Sequence, residues 1–195
     1  MKMKAIAKIC SQAKEIVLVD TRDTDGNAST QWIGDGIGMY PIFGLPELDE
    51  ESVYTIFDIP AGSQDKYMFK HISAPEAFDF NDSVPCENQL ENEKLEVFMD
   101  GTELMPLPTQ CGVSFIDAKY LLPFNGELDV MQLYERVTKG GHIYIAAKAG
   151  LMLHGLIMPS AVINDDFTEC LSKLARNCKE ALNQIKTKAY GRNGE

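Results

Sequence analysis

The chain has 195 residues, a net charge of −11 and a hydrophobic content of 45%, which suits one good hydrophobic core or two small ones and argues against disorder. The N-terminal stretch is basic and only briefly apolar, and no stretch approaches about 18 consecutive apolar residues, so we expect neither a signal peptide nor a membrane span. The five cysteines form no Cys-x-x-Cys pair, which favours reduced structural thiols and a cytoplasmic protein.

Helix and strand patterns alternate through the first part of the chain. Ile6, Ile9 and Cys10 recur at helical spacing, and Asp35-Gly36 is a strong tight-turn signal between two β-prone segments. Asp49 is a candidate N-cap ahead of acidic residues. The predicted elements are a helix at 3–14, a strand at 16–19, a loop at 20–29, a hairpin at 30–42, a helix at 48–57 and a strand at 66–72.

The order of hairpin followed by helix returns twice. A hairpin at 95–107 contains the turn Asp100-Gly101, and a short helix at 117–122 follows it. A strand at 128–134 and a hairpin at 142–159 then lead to a long helix, which Asn164-Asp165 caps and which carries one apolar stripe. The fold class predicted is α+β, built from repeated helix-plus-antiparallel-strand units of βαβββ type. Tight turns and capped helices also recur in α+β proteins without true repetition, and that alternative stays open.

Three segments are predicted from this order. Residues 1–72 form a first helix, hairpin and helix unit, and residues 94–195 hold two further hairpin-helix units. Residues 73–93 between them are acidic and contain Pro75 and Pro85, which is typical of a connector or a protruding loop. One compact domain overall is the alternative.

Charge is distributed unevenly along the chain. Residues 1–14 contain four lysines and no acid, whereas residues 16–170 hold 8 basic and 26 acidic side chains. Basic residues dominate again from residue 171 to residue 192. An acidic protein can present a local basic face to a polyanion in this way. The simpler alternative is that both basic helices only end in solvated side chains.

Residues 115–159 resemble the last part of a bacterial DNA sliding clamp, the β subunit of the replicative polymerase. The resemblance rests on Phe115-Ile-Asp-Ala-Lys-Tyr-Leu121, on Asp129-Val-Met-Gln-Leu-Tyr134 and on two strands that close with Leu156-Ile-Met-Pro159. It implies a sliding-clamp-like architecture of helices that line a central hole, with sheets outside. It also implies basic helices on an acidic body, a role in replication as a processivity factor, and partner proteins that dock in an apolar groove between units.

Three features depart from that family. A closed ring would need several copies of so short a chain, which implies a homo-oligomer, and the long helix continues past Met158-Pro159, where a bacterial clamp ends. The acidic helix at 48–57 could not line a hole for DNA without repulsion. Sliding requires attraction to phosphates without readout of bases. The candidate DNA-facing residues on the two basic helices are Lys4, Lys8, Lys173, Arg176, Lys179 and Lys186.

Signals for catalysis are weak throughout the sequence. Gly34-Asp-Gly-Ile-Gly38 lacks the lysine of a phosphate loop, and no nucleophile-elbow motif is found. His142 and His154 could lie on one hairpin, but no third metal ligand can be named. We therefore predict no catalytic residue, no metal site, no cofactor and a protein that is not an enzyme. Aromatic residues that could line a peptide groove, but that are more often core, are Trp32, Tyr40, Phe43, Phe57 and Tyr120.

Two functional hypotheses follow from these patterns. The first is a non-enzymatic DNA sliding-clamp-like processivity or scaffold protein that binds double-stranded DNA non-specifically through its basic terminal helices. The alternative is a protein–protein interaction or structural module that does not bind nucleic acid. Neither hypothesis includes a membrane.

Overall fold

A computed structural model describes residues 2–22, 28–85, 87–91 and 95–191. The chain divides into two compact units, residues 1–160 and residues 161–195. The α-helices are α1 (Met3–Ala13), α2 (Glu50–Ile56) and α3 (Asp165–Gly191), and short 3₁₀ helices cover Ala61–Lys66, Ala118–Phe124 and Leu128–Val130. The strands are β1 (Glu15–Arg22), β2 (Ala28–Gly34), β3 (Gly38–Ile42), β4 (Met68–Ser73), β5 (Asn88–Leu90), β6 (Val97–Met99), β7 (Thr102–Thr109), β8 (Gly112–Asp117), β9 (Met131–Val137), β10 (Ile143–Ala149) and β11 (Met152–Ile157).

The α+β class is confirmed, and the three predicted hairpins are present as β2–β3, β6–β7 and β10–β11. The side chain of Asp49 accepts a hydrogen bond from the amide of Ser52, and that of Asn164 accepts one from Phe167, so both predicted N-caps exist. β8 separates the second hairpin from its helix, which is a 3₁₀ helix containing Pro123. Within the predicted loop at 20–29, residues 23–27 lie outside the described residues, as do residues 86 and 92–93 of the predicted connector.

One order of elements occurs twice within residues 1–160. The first module is α1 followed by the antiparallel strands β1, β2 and β3. The second module is the 118–124 helix, then β9, β10 and β11 after the short 128–130 helix. β3 and β11 pair antiparallel, so that the sheet runs β4-β1-β2-β3-β11-β10-β9-β5. Antiparallel pairing of the equivalent third strands is the arrangement that an approximate two-fold axis produces.

The eight-stranded sheet buries apolar side chains on both faces, because alternate residues of a strand point to opposite sides. On one face, Ile16 and Leu18 of β1 pack beneath α1, the 118–124 helix and β7–β8. On the opposite face, Val17, Trp32 and Tyr144 belong to a second cluster that includes Phe78 and Phe80. We call the first the helical face and the second the outer face. Both modules therefore place their helix on the same side of one sheet.

Residues 74–87, with residue 86 outside the described part, lie across the outer face. The ring of Phe80 packs edge-on to Trp32 with centroids 5.1 Å apart, and Phe78 packs edge-on to Tyr144 at 5.2 Å. The guanidinium of Arg136, whose side chain is 1% exposed, donates to the Glu87 carboxylate at 2.7 Å and to backbone carbonyls of this segment. The buried Lys148 ammonium also bonds to Glu87. The described residues between 74 and 87 of the predicted connector thus cover the outer face of the sheet.

The junction of β3 and β11 has no room for additional atoms. A Cβ at Gly155 would lie 2.7 Å from Cζ of Phe124, and one at Gly38 would overlap the ring of Tyr120. Close approach of aromatic rings to the backbone is one of the few reasons that strictly require glycine within a strand. The two strands can carry large rings at their junction because these two positions have no side chain.

The second compact unit contains α3 and the four residues that precede it. α3 is 27 residues long and amphipathic. Its predicted apolar stripe is largely solvent-exposed: Leu174 is 59% exposed, Leu182 48% and Ile185 64%. Cys170 and Cys178, for which the sequence predicts structural thiols, are also exposed, whereas Cys10 on α1 is buried as expected.

In the part of the chain that the structure describes, no helix has the length and apolarity that crossing a membrane requires.

Candidate functional site

The exposed side of α1 is the first part of the candidate nucleic-acid interface. Ile6, Ile9 and Cys10 point into the core, and Lys4 and Lys8, one helical turn apart, are exposed. Residues four apart lie on the same face of a helix, so the two ammonium groups act together. Because the buried residues hold one side of α1 against the sheet, these lysines must face solvent.

No negative charge on α1 itself offsets these lysines. The helix contains no Asp or Glu, and exposed Lys2 and Lys14 lie just before and just after it. Among the described residues, no carboxylate forms an ion pair with Lys4 or Lys8. Unpaired ammonium groups on a helix that is packed against the sheet attract the phosphates of DNA, and they do so without recognising the base sequence.

The other four candidate residues lie on α3. Lys173, Arg176, Lys179 and Lys186 are all exposed. At about 100° per residue the first three fall on the side of the helix opposite the apolar stripe, and Lys186 borders the stripe beside Leu182. No described carboxylate pairs with them either. The predicted residues therefore form two groups, one in each compact unit. Every one of the six candidate side chains is available to solvent.

The 118–124 helix, the counterpart of α1, carries little free charge. Its single cation, Lys119, lies 3.2 Å from the Asp117 carboxylate and 4.8 Å from the ring of Tyr120. The remaining residues of this helix are apolar or aromatic. The two modules consequently present different surfaces, and the unpaired positive charge lies on the first.

A buried carboxylate joins the two modules on the helical face. Asp35, in the β2–β3 turn, accepts from the amides of Ile37 and Gly38 at 3.0 and 2.9 Å and from the Tyr120 hydroxyl at 2.9 Å. The Tyr40 hydroxyl donates to the carbonyl of Tyr120 at 2.8 Å. Burial raises the pKa of the Tyr120 hydroxyl and the Asp35 carboxylate raises it further, so this hydroxyl remains protonated as a donor.

The local motifs do not predict that Asp35 and Tyr120 make contact. Asp35 lies in a motif that is typical of a tight turn, and Tyr120 lies in the segment that resembles a sliding clamp. Four of the five aromatic residues considered for a groove, including Tyr40 and Tyr120, are buried. The fifth, Phe43, is exposed. Both carboxylate oxygens of Asp35 have a donor, which is the arrangement of a structural contact in a well-packed core.

An apolar groove of about 980 Å³ lies between the 118–124 helix, β9 and the three-stranded sheet β6-β7-β8. Phe98 and Leu128 on its walls are 72% and 46% exposed. Further apolar side chains on the walls are Met105, Leu121, Leu122 and Leu133. Among the residues that the structure describes, the acidic side chains around it are Glu91, Glu96, Glu103 and Asp117, and the basic side chain is the ion-paired Lys119.

Chemistry based on a metal finds no support in the described residues, where no three His, Cys, Asp or Glu side chains cluster in a way that could hold an ion. His154 lies 3.8 Å from the Glu127 carboxylate and packs edge-on to Phe43. His142, just before β10, donates its backbone amide to Thr138.

No family model, curated protein or solved structure significantly matches this chain. What the chain does must therefore be argued from its own surfaces.

Proposed function

We propose that this chain is a non-enzymatic, cytoplasmic DNA sliding-clamp-like protein, which acts in replication as a processivity factor or scaffold. It binds double-stranded DNA non-specifically through the exposed Lys and Arg side chains of α1 and α3, and it works as a homo-oligomer. The observation that carries the proposal is the doubled order of one helix and three antiparallel strands, with both helices on one face of a shared sheet.

The charge distribution supports the same proposal. A protein of net charge −11 is repelled by DNA at long range unless its cations are gathered on the surface that meets the phosphates. Here α1 carries lysines without any acid, and the basic side of α3 faces solvent. The acidic helix α2 is a separate element and is not part of the proposed DNA surface.

The test is binding to a fluorescent duplex of about 30 base pairs, measured by anisotropy over a range of salt concentrations. We expect binding at low salt that weakens steeply as salt rises, with equal affinity for two unrelated sequences, because the contacts are to phosphates. A variant in which Lys173, Arg176, Lys179 and Lys186 all become Gln should lose at least about tenfold in affinity, a change of about 1.4 kcal/mol.

A control variant has the same change in charge at other sites. Its four substitutions, to Gln, are at Lys66, Lys70, Lys119 and Lys139, which lie outside α1 and α3. We expect it to bind DNA within about twofold of the wild type, since three of these lysines already pair with carboxylates. Absence of DNA binding at low salt, or equal losses in both variants, would contradict the proposal.

The groove favours a second candidate function, an interaction module that binds a peptide segment of another protein. Exposed Phe98 and Leu128 offer contacts for apolar side chains, and the acidic residues around the groove complement a basic segment. Its occupant is a peptide with apolar residues flanked by Lys or Arg. Exposed apolar surface bordered by polar residues is typical of protein-binding sites.

Selection of phage-displayed random peptides tests this candidate. Peptides enriched on the wild type should combine apolar and basic residues, and they should not be recovered on a Leu122→Glu variant. The control is Leu151→Glu, at a position that is 84% exposed and outside the groove. Peptide selection without any DNA binding would favour the interaction module over the clamp-like function.

A further inference from the structure

The apolar residues of α3 follow a heptad repeat. With the seven positions written abcdefg, the a positions are Leu171, Cys178 and Ile185, and the d positions are Phe167, Leu174 and Ala181. Spacing of alternately three and four residues is the pattern with which helices pair along a seam. The repeat ends after Ile185, because the next d position holds Lys188.

Most of this seam is exposed in a single chain. Leu174 and Ile185 are more than half exposed, Cys178 is exposed, and Leu171 is half-buried. Phe167, at the first d position, is buried, so the seam available for pairing runs from Leu171 to Ile185. Leaving large apolar side chains in water has a free-energy cost that burial against another helix would remove.

The residues that flank the seam are compatible with pairing between two copies of this helix. Positions e and g flank an a/d seam, and in many coiled coils their charges select the partner. On α3 those positions are uncharged: Thr168, Cys170, Ala175, Asn177, Leu182 and Gln184. Two copies of α3 can therefore approach each other without repulsion between like charges at the seam.

We propose that α3 pairs with the α3 of a second copy of this chain through the seam from Leu171 to Ile185. The seam is self-complementary, and Leu182 at an e position widens the apolar surface that each copy contributes. Lys173, Arg176, Lys179 and Lys186 occupy b, c and f positions, which face away from a coiled-coil seam. Pairing leaves these side chains in solvent, and it does not rest on DNA binding.

Self-association is measured on the full chain by sedimentation velocity, from micromolar to near-millimolar concentration. The solution contains no DNA, a reducing agent that prevents disulfides, and high salt. We expect a concentration-dependent rise in mass towards a multiple of the monomer. A Leu174→Ala, Ile185→Ala variant should weaken self-association at least tenfold, since both substitutions shorten the apolar side chains of the seam while retaining good helix formers.

Two further variants keep the test decisive if the alanine variant is partly unfolded. Ala181→Leu fills a d position and should tighten formation of the same discrete oligomer, whereas misfolding would give aggregates without a defined mass. Ser172→Ala with Glu180→Ala, at exposed b and c positions, should leave self-association unchanged. A chain that stays monomeric at every concentration would overturn the proposal. So would a dimer that is unaffected by the Leu174 and Ile185 substitutions, because its copies would be meeting elsewhere.

Discussion

The two modules that share the central sheet use the same order of elements with different helices. The first has α1, an 11-residue α-helix with exposed lysines. The second has the seven-residue 3₁₀ helix at 118–124, which contains Pro123 and whose cation is paired with a carboxylate. α1 packs against the 118–124 helix, and the amide of Lys2 donates to the carbonyl of Pro123 at 2.8 Å.

The difference indicates a division of roles between the modules. The second module supplies buried polar contacts: Tyr120 reaches the Asp35 carboxylate of the first module, and Arg136 and Lys148 hold the segment that covers the outer face. The first module supplies the free positive charge. In a sheet built from two similar parts, one part can maintain the structure while the other presents a surface to a ligand.

The largest expected effect comes from breaking the buried ion cluster of the second module. Replacing Arg136 with Ala removes the donor of one Glu87 carboxylate oxygen and of several backbone carbonyls, while Lys148 still bonds to the other oxygen. We expect the free energy of unfolding to fall by about 3–5 kcal/mol, the usual cost of removing one partner from a buried pair. Urea denaturation followed by circular dichroism measures it.

Lys139→Ala serves as the control, because its pair with Glu76 is exposed and should contribute less than about 1 kcal/mol. The pH dependence provides a second check. Burial acts to raise the pKa of Glu87, but the hydrogen bonds from Lys148 and Arg136 outweigh it and lower the pKa. A lowered pKa stabilises the folded state above the ordinary value of about 4.5. This stability is lost as pH falls through the folded-state pKa, so the difference between wild type and Arg136→Ala should shrink in acid.

The second largest expected effect concerns the hydrogen bond between the two modules. Tyr120→Phe removes the hydroxyl that donates to Asp35 but keeps the ring, and it leaves one buried carboxylate oxygen without a donor. We expect a loss of about 1–3 kcal/mol in the free energy of unfolding. Tyr134→Phe is the matched control: that hydroxyl donates to the exposed Gln132 on the same strand, and its loss should change stability by less than about 0.5 kcal/mol. Equal losses of stability in the two variants would show that the hydrogen bond between the modules contributes no more than an exposed one.

The smallest effect concerns the difference in surface charge. Replacing Lys4 and Lys8 with Gln should lower the slope of log K against log salt for duplex DNA by about 1.8, because each phosphate that the protein neutralises contributes about 0.9 to that slope. Lys119→Gln, in the second module, should leave the slope unchanged, because that ammonium already pairs with Asp117. A larger change for Lys119→Gln than for the Lys4 and Lys8 pair would reverse the proposed division of roles.

Elements with local signals could be predicted from the sequence. Ile6, Ile9 and Cys10 predicted a helix at 3–14, and α1 covers Met3–Ala13. The turn at Asp35-Gly36 and the cap at Asp49 were correct, because both depend on residues within a few positions of each other. The six candidate DNA-facing residues are exposed, since helical periodicity separates a basic face from an apolar one. Whether they bind DNA stays a prediction.

Contacts between distant parts of the chain could not be predicted. Arg136 meets Glu87 across 49 positions and Tyr120 meets Asp35 across 85, and no local pattern marks either pair. The spacing of apolar residues also predicts the apolar stripe on α3, but it does not indicate which surface packs against that stripe. The groove could not be located either, because its walls come from several elements that only the tertiary fold brings together.

The junction of β3 and β11 limits which substitutions this sequence can accept. At Gly38 and Gly155 even a methyl group would meet an aromatic ring, whereas a Cβ at Gly62 would meet no atom within 4 Å. In a library of single substitutions selected for folding, the first two positions should accept almost nothing but glycine, while Gly62 should accept most residues. Gly38 and Gly155, at the boundary between the two modules, would then stay glycine in the descendants of this chain, whatever ligand their surfaces acquire.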